Sequence, residues 1–105
     1  MNVQEYLNQS IPKFTFGIQS PRTSVTMNDG FSISIQASSM HYCSPRKDGL
    51  QEYDTVELGY PSEDEPILEN YAEDPKSLTI TAYSYVPIKL VDKLVIKHGG
   101  FHERS

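Results

Sequence analysis

A chain of 105 residues has room for a single domain built on one core. Hydrophobic residues make up 37% and charged residues 22%, a wet profile that still holds too many apolar side chains for a disordered chain. Nine Lys and Arg against fourteen Asp and Glu leave a formal charge of −5, which argues against sequence-independent binding to nucleic acid or anionic lipid, because both require a cationic face.

The start, Met1 to Ser10, offers a short helical turn from Asn2 to Asn8, with Val3, Tyr6 and Leu7 on one face, ended by Pro12. It lacks the basic flank and apolar stretch of a signal peptide, and no apolar run is long enough to span a bilayer. With one cysteine and so no internal disulfide, a cytoplasmic setting is expected. Phe14 to Ile18 alternate weakly and predict a first strand, weakened by Gly17.

The clearest local pattern is a hairpin over 24–37. Ser24 to Met27 and Phe31 to Ala37 flank Asn28-Asp29-Gly30, residue types that tolerate the positive φ of a tight turn. Phe31, Ile33, Ile35 and Ala37 share one face, and Ser32, Ser34 and Gln36 the other. Residues 38–52 read as an extended stretch running into a loop. Tyr53 to Tyr60 predicts a strand with Val56, Leu58 and Tyr60 inward, and Pro61 to Pro66 a loop. Ser62 is placed to cap a short helix over Ile67–Ala72, with Pro66 in its first turn. Leu78 to Val86 predicts a strand. Pro87 opens a helix over 88–98 whose apolar stripe is Leu90, Val91, Leu94 and Val95. Gly99-Gly100 stops it, and Lys97 and His98 suit its negative end. The economical packing is an α+β fold: a small antiparallel sheet of three or four strands, including the hairpin, with the C-terminal helix on one face.

The charge is uneven. Nine of the fourteen acids fall between Gln51 and Asp74 with no Lys or Arg among them, and the other 81 residues hold a balance of +4. Tyr53, Tyr60 and Tyr71 are interleaved with these acids. Tyrosine brings contact area at low entropic cost, while carboxylates steer toward a basic partner. The segment therefore reads in two ways, as a solvated loop and edge kept soluble by charge, or as a docking face for a basic protein surface or a mimic of a phosphate backbone. On the second reading the partner-binding residues are Glu52, Tyr53, Asp54, Glu57, Tyr60, Glu63, Asp64 and Glu65. A Ca²⁺ loop is disfavoured, because no D-x-D-x-D-G spacing is present.

Ser38 to Arg46 is the densest chemical stretch. On an extended backbone His41 and Cys43 share a face, and an imidazolium beside a thiol can generate a thiolate nucleophile. No oxyanion hole or orienting third group accompanies them, and a buried, inert cysteine is the plain alternative. His41, Cys43, His98 and His102 could supply four metal ligands, but Gly99 and Gly100 interrupt the helix that would align the last two. Arg46 and Lys47 are expected to pair across the surface with the acidic segment. Tyr83 and Tyr85, extended by Thr79 and Thr81, are expected to share a strand face as a half-exposed strip. No phosphate-loop, dinucleotide or nucleophile-elbow motif occurs, and no catalytic residue, metal or cofactor is assigned.

Six short words of the sequence resemble a family of small phage and prophage accessory proteins: Ser34-Ile-Gln-Ala-Ser38, His41-Tyr-Cys-Ser-Pro-Arg46, Val56-Glu-Leu-Gly-Tyr-Pro-Ser62, Tyr71-Ala-Glu-Asp74, Tyr85-Val-Pro87 and Lys97-His-Gly-Gly100. The resemblance spans 31–100 and leaves 1–30 uncovered. The family consists of uncharacterised open reading frames, so the resemblance transfers no catalytic or ligand residue. It implies a setting: a small acidic protein in the host cytoplasm that binds and blocks a host enzyme or defence complex. The leading expectation is thus a non-enzymatic inhibitor docking its acidic, tyrosine-bearing surface on a basic host protein, without direct contact to nucleic acid or membrane. Two alternatives stand beside it. One is a small enzyme or redox-responsive protein using Cys43 and His41. The other is a homodimer or larger homo-oligomer assembled through the hairpin edge or the Thr/Tyr strip.

Overall fold

The computed structural model of the chain describes residues 1–10, 13–15 and 18–102, with the backbone alone for 13–15 and 18–19. Helix α1, Val3–Gln9, begins with a capping box: the Asn2 side chain accepts from the Glu5 N–H, and the Glu5 carboxylate accepts from the Asn2 N–H. Strands β1, Lys13–Thr15, and β2, Ile18–Ser20, pair antiparallel as a small separate ladder. The single strand expected over 14–18 is therefore two short ones, and its Phe16 and Gly17 lie outside the described residues.

The main sheet is an antiparallel meander in chain order: β3 (Val25–Thr26), β4 (Ser32–Gln36), β5 (Thr55–Gly59) and β6 (Ala82–Pro87). The predicted hairpin is β3 and β4, with Val25 opposite Ile33 and Thr26 opposite Ser32. Helix α2, Ile88–Lys97, follows β6 directly. Val3, Tyr6 and Leu7 of α1 and Val91, Leu94 and Val95 of α2 join one apolar cluster with Ile33, Ile35, Val56, Leu58, Tyr83 and Val86 of the sheet. Each such side chain contributes about 1.5–3 kcal/mol by leaving water, so this cluster outweighs every single polar contact described below. No helix among the described residues is long and apolar enough to cross a membrane.

Several predicted details are corrected. Tyr60 does not continue the inward alternation: β5 ends at Gly59, and Tyr60, at φ 52°, swings its ring into solvent. Ser62 does not cap a helix; its hydroxyl accepts the Ser32 N–H, and the helix at Pro66–Tyr71 is a 3₁₀ turn without a side-chain cap. Residues 78–80 are turns, so β6 starts four residues later than expected. Tyr83 and Tyr85 do not share a face. The β5–β6 register slips by one between Val56 opposite Val86 and Leu58 opposite Tyr83. Tyr85 absorbs that bulge at φ 53° and points outward, while Tyr83 is fully buried. The outer edge of β6 is covered by its own chain, with Ala72 bridging Tyr83 and the Glu73 N–H donating to the Ala82 carbonyl.

At the end of the sheet near α1 lies a buried cation, Arg22. Its guanidinium donates to the carbonyls of Leu7 and Ala37 and to the Ser10 hydroxyl, so one planar fork ties the end of α1 to the end of β4. Gln36 closes the arrangement, accepting the Arg22 N–H and donating to its carbonyl. Its acceptors among the described residues are all neutral, and burial pulls the guanidinium pKa down. Replacing it strands several buried acceptors. Arg22→Met is expected to cost about 2–4 kcal/mol in urea unfolding, whereas Arg46→Met, at an exposed arginine, should cost under about 1 kcal/mol.

Candidate functional site

Three segments distant in sequence converge at the opposite end of the sheet. The first is the β3–β4 turn. The Gly30 N–H donates to the Met27 carbonyl, Gly30 adopts φ 95°, and the Asp29 carboxylate accepts the Phe31 N–H. The second is the end of α2. Gly99 and Gly100, at φ 86° and 90°, fold the chain back so that the Gly100 N–H reaches the Val95 carbonyl. The two are laced together: the Asn28 N–H donates to the Gly100 carbonyl, the Asn28 side chain to the Gly99 carbonyl, and the Asp29 N–H to the His98 carbonyl. A Cβ on Gly99 would stand 3.3 Å from that of Asn28, so the approach is close. The third is the 60–65 loop, held to β4 by reciprocal bonds between Ser62 and Ser32.

His98 joins all three. Its Nδ1 lies 2.6 Å from Asp29 Oδ2, its Nε2 bonds Glu65 Oε1, and its ring stacks on Phe31 at 4.0 Å and 10°. Lys97 Nζ donates to the other Glu65 oxygen at 3.0 Å. Glu65 is 2% exposed and His98 4%. Both ring nitrogens face carboxylates, which only accept, so the ring is an imidazolium carrying two N–H donors. Burial pulls the His98 pKa down, but the bonds to Asp29 and Glu65 outweigh it and the net shift is upward. The Phe31 N–H and His98 hold the Asp29 carboxyl below its ordinary range. Beside the network opens a cleft of about 220 Å³ lined by Asp29, Gly30, Phe31, Ser62 and Glu63. Among the described residues, the group able to hold a metal ion is Glu63, Glu65 and His98, which offer one donor atom each within 4.8 Å of one another.

The predicted partner-facing residues divide. Tyr60, Glu63 and Asp64 are exposed together on one loop, with Tyr60 at 64%. Glu52 and Asp54 are exposed at the far end of β5, five strand residues away, roughly 17 Å. Glu57, between them, is half-buried and accepts the Tyr42 N–H. Two placements are corrected. Tyr53 is 4% exposed, its hydroxyl donating to the Lys47 carbonyl, and Glu65 is sequestered by Lys97 and His98. Arg46 donates to the Ser39 carbonyl and lies over the Tyr42 ring, in place of an acidic partner.

The His41–Cys43 pairing does not form either. His41 Nδ1 meets the Ser38 hydroxyl, and Cys43 donates to the Ser38 carbonyl. Burial pushes the Cys43 thiol up and the His41 imidazole down, so each favours its neutral form. His102 rests on Asn28, apart from His98. The residue the sequence reading missed is His98 as a bridge. The signals were present in Asp29 of the turn, Glu65 before Pro66 and the Lys97-His98-Gly-Gly stop, but nothing local in the sequence brings them together. Comparison with family models, curated proteins and solved structures found no match for this chain.

Two outcomes follow for the free protein. Folding raises the His98 pKa, so its contribution is complete below about pH 6.5 and is lost as pH climbs through the folded value. Asp29 works on the acid limb: its contribution is complete above about pH 4 and is lost as pH falls through its lowered value. The melting temperature should therefore fall as pH rises above about 6.5, and His98→Asn should flatten that limb while costing about 3–5 kcal/mol. An unchanged limb in the variant would assign the titration elsewhere. Cys43 should react with a thiol reagent at neutral pH far more slowly than a free cysteine, and at the free rate in denaturant; equal rates with and without denaturant would contradict its burial.

Proposed function

We propose that this protein is a non-enzymatic interaction protein of phage-inhibitor type, acting in the host cytoplasm by docking an acidic surface centred on Tyr60, Glu63 and Asp64 against a basic host protein. The observation that carries this reading is the freedom of the charge. Of the nine acids between Gln51 and Asp74, seven are exposed. Among the described residues, the only Lys or Arg paired with any of the nine is Lys97, on buried Glu65. A molecule that used this segment merely to balance its own lysines and arginines would have spent them on it.

Tyr60 supplies the anchor. Its backbone is fixed at a left-handed φ between the end of β5 and Pro61, and its N–H donates to the Thr81 carbonyl, so an exposed aromatic ring is presented on a held backbone. Pre-ordering of this kind lowers the entropic cost of contact. Glu63 and Asp64 follow it on the same exposed loop, and Glu52 and Asp54 at the other end of the strand extend the negative field without joining the contact. Such a face suits a protein surface that otherwise holds nucleic acid. The Cys43/His41 alternative is disfavoured by the neutral, separately bonded pair described above.

Immobilised protein should capture a basic partner from a bacterial lysate at about 0.1 M salt and release most of it at about 0.5 M, where the screening length falls below about 5 Å. Tyr60→Ala should weaken capture at both concentrations, and Glu63→Lys with Asp64→Lys should abolish it. Capture indifferent to salt and to both variants would refute the reading.

A further inference from the structure

We infer that Glu63, Glu65 and His98 form a binding site for one divalent transition-metal ion of zinc type, opening onto the cleft beside the β3–β4 turn. The site goes beyond the docking reading and does not depend on it.

The donor chemistry is the first ground. One imidazole nitrogen and two carboxylates, each offering an atom within 4.8 Å of the others, is a set suited to zinc or manganese and a poor one for magnesium, which keeps an oxygen shell. Neither the exposed pair Glu52 and Asp54 nor Glu73 and Asp74 has an imidazole in such a group among the described residues. The second ground is orientation. Metal-binding histidines commonly give their other ring N–H to a carboxylate, which fixes the tautomer and raises ligand basicity. His98 has that arrangement: Nδ1 is held by Asp29 at 2.6 Å, leaving Nε2 directed at Glu65. Stacking on Phe31 locks the ring plane.

Charge is the third ground. Once Nε2 has given up its proton, the carboxylates of Asp29, Glu63 and Glu65 against the single ammonium of Lys97 leave two negative charges, which a divalent cation neutralises. Access is the fourth. Glu63 is exposed and lines the cleft, so an ion can arrive from solvent and keep a water on that side, as three-ligand sites do. Binding exchanges the Nε2 proton for the metal and releases that proton to solvent. Glu65 turns one oxygen from hydrogen-bond acceptor to ligand and keeps the other on Lys97.

The test is calorimetric titration of the full chain, freed of metal with a chelator, with Zn²⁺ and in parallel with Mg²⁺. One zinc per chain should bind at micromolar or tighter affinity and raise the melting temperature, with Mg²⁺ at least about 100-fold weaker. Glu63→Gln alters an exposed side chain and should keep the metal-free melting temperature while weakening zinc at least about 10-fold. His41→Gln and His102→Gln should bind as the parent does. Absence of zinc binding up to about 1 mM, equal affinity for Mg²⁺, full affinity in Glu63→Gln, or loss in His41→Gln or His102→Gln would each overturn the assignment.

Discussion

A buried carboxylate has to be compensated, and the charge on Glu65 organises one end of this molecule. Taken from water alone it would cost several kcal/mol. Lys97 and His98 supply the compensation, one the last residue of α2 and the other its C-cap. That requirement reaches outward. The helix must end at His98 for the ring to turn toward Glu65, and the Gly99-Gly100 reversal makes it end there. The remaining ring nitrogen then needs Asp29, which fixes the β3–β4 turn against the helix end. The hairpin, the 60–65 loop and the C-terminal helix are thus three parts of one ionic joint.

The other end of the sheet solves the matching problem with opposite chemistry. Arg22 is a buried cation, and its acceptors among the described residues are two carbonyls and a hydroxyl. The carbonyl of Leu7 belongs to the last turn of α1, where the helix dipole places partial negative charge, so the cation sits where unpaired peptide oxygens collect. Arginine keeps its charge at any ordinary pH, so this joint is insensitive to proton concentration. The His98 joint is not. The two ends of one small core therefore differ in what can loosen them, and the responsive end is the one that carries the cleft and Tyr60.

Most of the architecture was readable because it rests on local signals. The Ile33 and Ile35 alternation, the Asn28-Asp29-Gly30 turn, and the Leu90, Val91, Leu94 and Val95 stripe with its glycine stop each occupy fewer than a dozen residues and agree with one another. What failed was non-local or depended on a single backbone angle. Tyr60 and Tyr85 depart from the expected faces because each adopts positive φ, which alternation cannot register. Charge density along the sequence groups Glu65 with its exposed neighbours because it says nothing of a lysine 32 residues away. Tyr53 looked like an anchor among acids, yet its hydroxyl is used by the Lys47 carbonyl across a short loop. In the candidate site, the residue types were legible and their meeting was not.

Burial of Glu65 also changes what the acidic segment means. Glu65 is structural and Glu57 is half-buried, while the other seven carboxylates are exposed, Glu63 and Asp64 on the loop that follows Tyr60. Glu63 stands at the boundary: it faces the cleft and the His98 group on one side and shares an exposed loop with Tyr60 and Asp64 on the other. A cation held by Glu63, Glu65 and His98 in exchange for the Nε2 proton would raise the local charge by one and engage the exposed carboxylate of Glu63, which the proposed docking surface also uses. Two ligands that draw on the same carboxylate oppose each other, and linkage makes the opposition reciprocal: a bound basic protein must weaken the metal by the factor that the metal weakens it. The sharing of Glu63 thus turns the two proposed activities into one competition, set by a single side chain at the rim of the joint that Glu65 requires.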